Sequence, residues 1–151
     1  MVALSALDKF LKGRRNIFID TSLFIYYIEK HPRYYPLCDK IFKDIESGRI
    51  RASTSTLSLL EILVQPYRLK NESLVLKFYS LLTTYPNLVW IDLTLNIADL
   101  AARLRAEYNL KTPDSIQAAS AIASGASGFI CNDNVFKKLK EVRCLILDEC
   151  I

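Results

Sequence analysis

Four acidic residues, far apart along the chain, are the residues best suited to chemistry: Asp20, Glu61, Asp114 and Asp133. Asp20 and Asp133 follow the apolar runs IFI and FIC, where strands are expected to end. Glu61 lies inside the apolar stretch LSLLEILV, and Asp114 lies at the expected start of a helix. Carboxylates that share a pocket repel one another, and Mg²⁺ or Mn²⁺, which prefer oxygen ligands, relieve that repulsion. Brought together, these residues indicate metal-dependent chemistry.

Each acid also has a purely structural explanation. Asp20 and Asp133 are suited to cap the helix or turn that follows them, and the helix dipole favours a carboxylate at Asp114. Glu61 has no Lys or Arg three or four residues away. It is therefore either a buried carboxylate that needs a distant cation or a metal ion, or a solvated side chain on an exposed helix face.

Other catalytic chemistries lack their residues. The single histidine, His31, lies in the expected loop EKHPRY, and the chain has no GxSxG turn for a serine nucleophile. Glycine-rich phosphate loops are also absent from the sequence. FIDTS lacks the second acid, two residues after Asp20, that a phosphoryl-aspartate mechanism uses. The four cysteines form no CxxC pair, so a zinc site is not expected, and without an export signal disulfides are not expected either.

Short apolar runs alternate with amphipathic stretches, which predicts βαβ units. Strands are expected at residues 16–20, 49–54, 87–93, 128–132 and 144–148. Helices are expected at residues 21–31, 36–48, 55–64, 72–84, 97–108, 112–125 and 134–140. We expect the third of these to end before Pro66, and Thr112 to cap the sixth with Pro113 at its first position.

The continuous apolar strands favour helices on both faces of the sheet. The predicted fold is therefore α/β, a three-layer α/β/α sandwich with a central, mostly parallel sheet. In such sheets, sites form in the crevice at the carboxyl ends of the strands, where Asp20 and Asp133 are placed.

Length and composition indicate a globular protein. The chain has 151 residues, 51% of them hydrophobic and 24% charged, which fits a single domain over residues 1–151. No apolar run reaches the ~18 residues that span a membrane, and the N-terminal segment is too charged for a secretory signal. We therefore expect a soluble, cytoplasmic protein without membrane association. Basic clusters in residues 1–15 and 134–143 are either solvated faces or contacts for phosphate.

Three segments, in order, resemble the motifs of the PIN-domain family: FIDTSLFIYYI, STSTLSLLEIL and TPDSIQAASAIASGASGFICNDNVFKKL. The resemblance covers residues 16–148 and implies a PIN-like fold. By this resemblance, the four acids carry over as the metal-binding and catalytic centre, and Ser22 supports them by hydrogen bonding. Asn132 occupies a position where the family often has Thr or Ser.

The resemblance also implies an activity. It is closest to VapC-like toxins, which implies an Mg²⁺- or Mn²⁺-dependent endoribonuclease that hydrolyses RNA phosphodiester bonds. The implied partners are an RNA substrate, a cognate antitoxin that covers the cleft, and a second copy in a homodimer. Two alternatives remain open, a housekeeping RNA-processing nuclease and a non-catalytic module that binds RNA or protein. Residues 1–15 precede the motifs and form an additional helix, an RNA contact or a solvated lead.

Overall fold

The computed structural model describes residues 2–151, and side chains from residue 4 onward. Five strands lie within this range: β1 (Asn16–Ile19), β2 (Arg51–Ser55), β3 (Leu88–Ile91), β4 (Gly128–Cys131) and β5 (Cys144–Ile146). Seven α-helices accompany them: α1 (Val2–Leu11), α2 (Thr21–Ile28), α3 (Tyr35–Glu46), α4 (Thr56–Arg68), α5 (Glu72–Thr83), α6 (Leu95–Tyr108) and α7 (Thr112–Ala123). Two 3-10 helices follow β4 and β5, at Asn134–Lys138 and Leu147–Cys150.

The five strands form one sheet in the order β3-β2-β1-β4-β5, and all four pairings are parallel. The central strand is β1, in which Phe18 is aligned with Ser53 of β2 and Phe129 of β4. The predicted mostly parallel sheet is confirmed. The chain runs outward from β1 in both directions, so the crevice at the topological switch point lies between the carboxyl ends of β1 and β4.

Apolar side chains are buried on both faces of the sheet. Ile17 and Ile19 of β1 belong to a core cluster that includes residues of all five helices from α1 through α5. Phe18 belongs to a second cluster, with residues of α6 and α7. The Phe18 and Phe129 rings meet edge to face with centroids 5.2 Å apart. Strand β1 is buried on both faces from Ile17 to Ile19, which explains the apolar run IFI. The predicted three-layer α/β/α arrangement is confirmed.

The segment before β1 is mainly helical. Leu7 and Leu11 of α1 are buried in the first core cluster, so the interpretation as an additional helix is correct for the described part of residues 1–15; Met1 lies outside it. Gly128 starts β4 beneath this segment, where an added Cβ would lie 2.8 Å from the Phe10 ring. The glycine therefore permits close packing between this segment and the sheet.

Two predicted helix ends are wrong. Helix α4 does not stop before Pro66 but continues through it to Arg68, with Pro66 buried. Proline removes one helical hydrogen bond, and its tertiary packing outweighs this loss. At α7 the residue that precedes the helix is Lys111, not Thr112. Pro113 still lies in the first turn, where amide groups have no partner within the helix.

Over residues 2–151, no helix is both long and apolar enough to cross a bilayer.

Candidate functional site

A cavity of about 340 Å³ lies at the carboxyl ends of β1 and β4, and all four predicted acids line it. Asp20 directly follows β1, and Asp133 follows β4 after one intervening residue. Glu61 comes from the middle of α4, and Asp114 from the first turn of α7. The parallel topology thus brings together carboxylates from four separate segments.

Asp20 is half-buried and held in place from two directions. Its backbone N–H donates to Ile130 O of β4 at 3.3 Å, and its Oδ1 accepts a hydrogen bond from Ser22 Oγ at 2.5 Å. Ser22 therefore makes the contact expected of it. Asp20 precedes α2 but makes no side-chain capping hydrogen bond. The capping explanation is wrong for this residue, and its second oxygen is left for the cavity.

Asp133 and Asp114 differ in their surroundings. Asp133 is exposed, and its Oδ1 accepts from the Val135 N–H at 2.9 Å, so it caps the 3-10 helix after β4 while lining the cavity. Asp114 is half-buried near the amino terminus of α7, where the helix dipole favours a negative charge. The capping explanation thus holds for Asp133 alongside its place in the cavity.

Glu61 is exposed, so the interpretation of a buried carboxylate that requires a cation is wrong. Its Oε1 accepts a hydrogen bond from Thr21 Oγ1 at 2.8 Å. Thr21 Oγ1 in turn accepts from the buried Gln117 Nε2 at 3.1 Å, and the same amide donates to Ser58 Oγ at 3.1 Å. A directed series of donors therefore runs from Gln117 through Thr21 to Glu61, and it fixes one carboxylate oxygen.

Burial and repulsion between like charges disfavour the ionised forms of Asp20 and Asp114. Burial raises the pKa of Asp20 to about 7, and the charges of Glu61 and Asp114 act in the same direction, while hydrogen bonds from Ser22 oppose the shift. Burial likewise raises the pKa of Asp114, and repulsion from Asp133 and Glu61 adds to it. In the described part of the chain, none of these four acids forms an ion pair with Lys, Arg or His.

The donor set fits a hard divalent cation, since the cavity offers carboxylate and hydroxyl oxygens and the repulsion among them is not neutralised by an ion pair. The carboxylates surround the cavity rather than converge on one point. Among residues 2–151, no three His, Cys, Asp or Glu side chains are already grouped closely enough to hold a metal ion.

Thr21, Ser58 and Gln117 also belong to the site, although they were not among the residues predicted from the sequence. The signal was the helical spacing: Ser58 precedes Glu61 by three residues, and Gln117 follows Asp114 by three, so each pair shares a helix face. A polar side chain beside an acid on an otherwise apolar helix indicates a hydrogen-bonded cluster as well as a solvated face.

Asn132 also lines the cavity, and its amide connects three elements. Its Nδ2 donates to the Tyr26 hydroxyl at 3.0 Å, and its Oδ1 accepts from the Asp148 N–H at 2.7 Å. These bonds fix the end of β4 against α2 and the last 3-10 helix. His31 lies in the loop after α2, where its Nδ1 accepts from the Arg33 N–H at 3.1 Å.

Comparisons with known proteins agree with this architecture. The family model of the PIN domain matches residues 17–142. No curated protein sequence matches the chain. Solved structures similar to it include a toxin–antitoxin complex from Klebsiella pneumoniae, with a TM-score of 0.64 and 18% identity over 87% of this chain and 97% of that one.

VapBC2 from Rickettsia felis, bound to a DNA fragment from its promoter, has a TM-score of 0.66 and 20% identity over 87% of this chain and 98% of that one. VapBC-1 from nontypeable Haemophilus influenzae has a TM-score of 0.66 and 16% identity over 88% of this chain and 98% of that one. At these identities, the likeness shows a shared fold.

Proposed function

The chain belongs to the PIN-domain family, whose members are nucleases, and from this we propose that it is a divalent-metal-dependent endoribonuclease. The observation that carries the proposal is the cavity lined by Asp20, Glu61, Asp114 and Asp133. Burial raises the pKa of Asp20 and of Asp114, and the like charges of the neighbouring acids add to the cost of ionising them unless a cation joins the group. RNA phosphate also needs positive charge before it can enter so acidic a cavity, so the same cation would serve substrate and protein.

Asp20, Asp114 and Asp133 are the residues that would hold the ion, Mg²⁺ or Mn²⁺, with Glu61 at its edge. A divalent cation there supplies positive charge to the phosphate and makes a nearby water molecule more acidic. The chain's own hydrogen bonds orient the acids for this task. Ser22 holds one oxygen of Asp20, the Val135 amide holds one of Asp133 and Thr21 holds one of Glu61, so a second oxygen of each remains available.

We further propose that the enzyme is the toxin of a toxin–antitoxin module, acting in the cytoplasm. The support is the VapBC and other toxin–antitoxin complexes among the structures that share its fold. A mostly apolar groove of about 230 Å³ adjoins the acidic cavity, and Ile25 and Glu61 line both. Leu69, which is 63% exposed, also lines the groove. An antitoxin segment with apolar side chains would bury them there and cover the cavity.

A homodimer belongs to the same proposal. Helix α5 leaves large apolar side chains in solvent, with Leu76 67% and Tyr79 50% exposed. Apolar side chains clustered on one exposed helix are typical of surfaces that bind another protein. We assign this face to a second copy of the chain, and sedimentation of the purified protein tests the assignment.

The test of the nuclease activity is RNA cleavage with Mg²⁺ or Mn²⁺ and with chelator. Asp20→Asn and Asp114→Asn should each lower cleavage by at least about 100-fold, the scale typical for loss of one electrostatic group in an active site. Asp99→Asn is the matched control, because Asp99 lies on the exposed face of α6 in an ion pair with Arg103. Undiminished cleavage by either cavity variant would contradict the mechanism.

Growth of a bacterial host tests the toxin role separately. Induced expression should arrest growth, Asp20→Asn should abolish the arrest, and co-expression of the small gene adjacent to this one should relieve it. Unaffected growth together with RNA cleavage in vitro would instead favour an RNA-processing nuclease. Mn²⁺ binding by calorimetry without any cleavage would favour a non-catalytic module.

A further inference from the structure

A second cavity, of about 600 Å³, lies at the amino-terminal ends of the strands, opposite to the acidic cavity at their carboxyl ends. It is formed by the loop between α1 and β1 and the loop between α3 and β2, beside the amino-terminal ends of β1 and β2. We call it the basic cleft, because five cationic residues line it: Lys12, Arg14, Arg15, Arg49 and Arg51. The proposed nuclease activity uses none of them.

The charges of the basic cleft are unbalanced. Its one acid is the buried Asp44, which is already paired with Lys40 at 3.1 Å and lies 3.9 Å from Arg49. No carboxylate lies within 4.0 Å of the charged groups of Lys12, Arg15 or Arg51 in the part of the chain that the structure describes. Like charges held close together repel, and an anion that binds between them removes that cost.

Arg15 and Arg51 are held side by side by the backbone. The Arg51 N–H donates to Arg15 O at 2.7 Å, at the point where β1 and β2 begin. Both side chains are exposed and carry guanidinium groups, which can bind phosphate oxygens with two parallel hydrogen bonds. Because both side chains line the basic cleft, the cleft offers two phosphate-binding groups where β1 and β2 begin.

Arg14 is fixed before any ligand binds. Its guanidinium donates from Nε to Ser127 O at 3.0 Å and from Nη1 to Phe10 O at 2.5 Å, and it lies over the Phe10 ring at 4.3 Å. Gly128 makes room for this stack, since an added Cβ would contact both Phe10 and Arg14. An arginine already ordered by the protein loses less conformational freedom when it binds an anion.

The basic cleft continues into a neighbouring cavity of about 350 Å³, and Arg15 and Arg51 line both. Ser53 lines this neighbouring cavity. The residue is 4% exposed, and its hydroxyl has no hydrogen-bond partner. A buried hydroxyl without a partner is unfavourable and is available to donate to an anion. The two cavities, which share Arg15 and Arg51, together offer more room than a single phosphate requires.

We propose that the basic cleft binds the phosphate backbone of RNA, as a second contact that rests on the proposed nuclease function. Among the residues that line the basic cleft, the two large apolar side chains, Leu11 and Ile50, are buried and do not offer an anchor for a peptide. Cationic contact without apolar anchors is typical of sequence-independent binding of the nucleic-acid backbone. An acidic peptide is therefore the less favoured occupant.

The two sites are separated by the length of the sheet. Strand β1 has four residues, a rise of roughly 13 Å at ~3.3 Å per residue, and the sites lie beyond its two ends. In a stacked strand, with ~3.4 Å between phosphates, an RNA of four nucleotides spans about 10 Å and does not reach from the acidic cavity to the basic cleft. An RNA of about 30 nucleotides does, so the proposal predicts that only long RNA depends on the cleft.

The experiment measures binding of a 30-nucleotide RNA by fluorescence anisotropy in EDTA, where cleavage is suppressed, across a series of salt concentrations. Arg15→Ala/Arg51→Ala should weaken binding roughly tenfold near 0.1 M salt and reduce the slope of log K against log salt by about 1.4, or about 0.7 for each lost phosphate contact. The control, Lys77→Ala/Arg103→Ala, removes the same charge from residues that line neither site and should bind like wild type.

Cleavage of a four-nucleotide RNA with Mn²⁺ separates this inference from the proposed function. The Arg15→Ala/Arg51→Ala variant should cleave it at the wild-type rate, which also shows that the variant is folded. Unchanged affinity and salt slope in that variant would overturn the cleft proposal while leaving the nuclease intact. Tighter binding of a polyglutamate peptide than of RNA, lost in the same variant, would overturn it in favour of a protein partner. Failure of the wild type to cleave either RNA contradicts the nuclease instead.

Discussion

The carboxyl group of Asp20 carries the largest electrostatic cost in the acidic cavity. Its pKa rises from 3.8 to about 7, first because of burial and then because Glu61 and Asp114 are negatively charged. The folded chain therefore holds a proton that the unfolded chain releases between about pH 4 and pH 7. Since the unfolded state binds fewer protons in this range, stability falls as the pH rises, and the full cost is present above pH 7.

Asp20→Asn should therefore stabilise the metal-free protein above pH 7 by up to about 4 kcal/mol, since the pKa rises by about three units and each unit corresponds to ~1.4 kcal/mol. Near pH 4 the advantage should disappear, because the wild-type carboxyl is protonated in the folded chain. Urea unfolding in EDTA at both pH values measures the difference. A variant that is equally stable to wild type at pH 8 would contradict the prediction, and Asp99→Asn serves as the exposed control.

Gln117 is an uncharged residue that supports the site by hydrogen bonding to Thr21 and Ser58. Gln117→Ala removes the donors to Thr21 and Ser58 and should lower the free energy of unfolding by about 1–3 kcal/mol, the cost of two lost hydrogen bonds at ~0.5–1.5 kcal/mol each. Gln65→Ala, at an exposed position of α4, should change it by less than about 0.5 kcal/mol. Chemical unfolding of both variants gives the comparison, and equal losses would contradict a role for the Gln117 amide.

At this scale, the sequence predicts the acids better than the groups that hold them. Asp20 and Ser22 are two residues apart, so their contact follows from local spacing. Gln117 and Thr21 are distant in the chain and meet only because α7 packs beside α2 and α4 across the cavity. No local pattern specifies such a pairing, because it depends on how whole helices are placed on the sheet.

Among the elements, the contact between helix α1 and strand β4 depends on Gly128, which has no side chain. Gly128→Ala should destabilise the protein by about 1–3 kcal/mol, as expected for overpacking, because its Cβ would lie 2.8 Å from Phe10. In a Phe10→Ala background the same substitution should cost much less, since the ring is gone. Thermal unfolding of the four proteins in this cycle measures the coupling, and additive effects would contradict the proposed clash.

Most helices and strands are predictable from apolar periodicity, and the exceptions have physical causes. Pro66 indicates a helix end by local preference, yet α4 continues because burial of this residue against its neighbours outweighs one lost hydrogen bond. Residues 1–15 combine a basic surface with buried Leu7 and Leu11, so charge and apolar content point in different directions. Only the packing of α1 on the sheet decides between them.

For the whole molecule, a divalent cation should act as a stabilising ligand. Mn²⁺ at about 100 times its dissociation constant should add ~2.7 kcal/mol to the stability of the wild type, because it binds the folded chain alone. For a chain of this length, that corresponds to a rise in Tm of roughly 5–10 °C. Differential scanning calorimetry with Mn²⁺ and with EDTA measures the shift. An equal shift in Asp20→Asn/Asp114→Asn would place the ion elsewhere.

The sheet order has a consequence for synthesis on the ribosome. Strand β1 is made early, but its neighbour β4 follows more than a hundred residues later, when Ile17 finally pairs with Gly128. Until then the carboxylate at position 20 has no counterpart from position 133, and a partly synthesised polypeptide contains no complete catalytic centre. The nuclease that we propose would therefore gain its full set of acids only when synthesis of the chain is nearly finished.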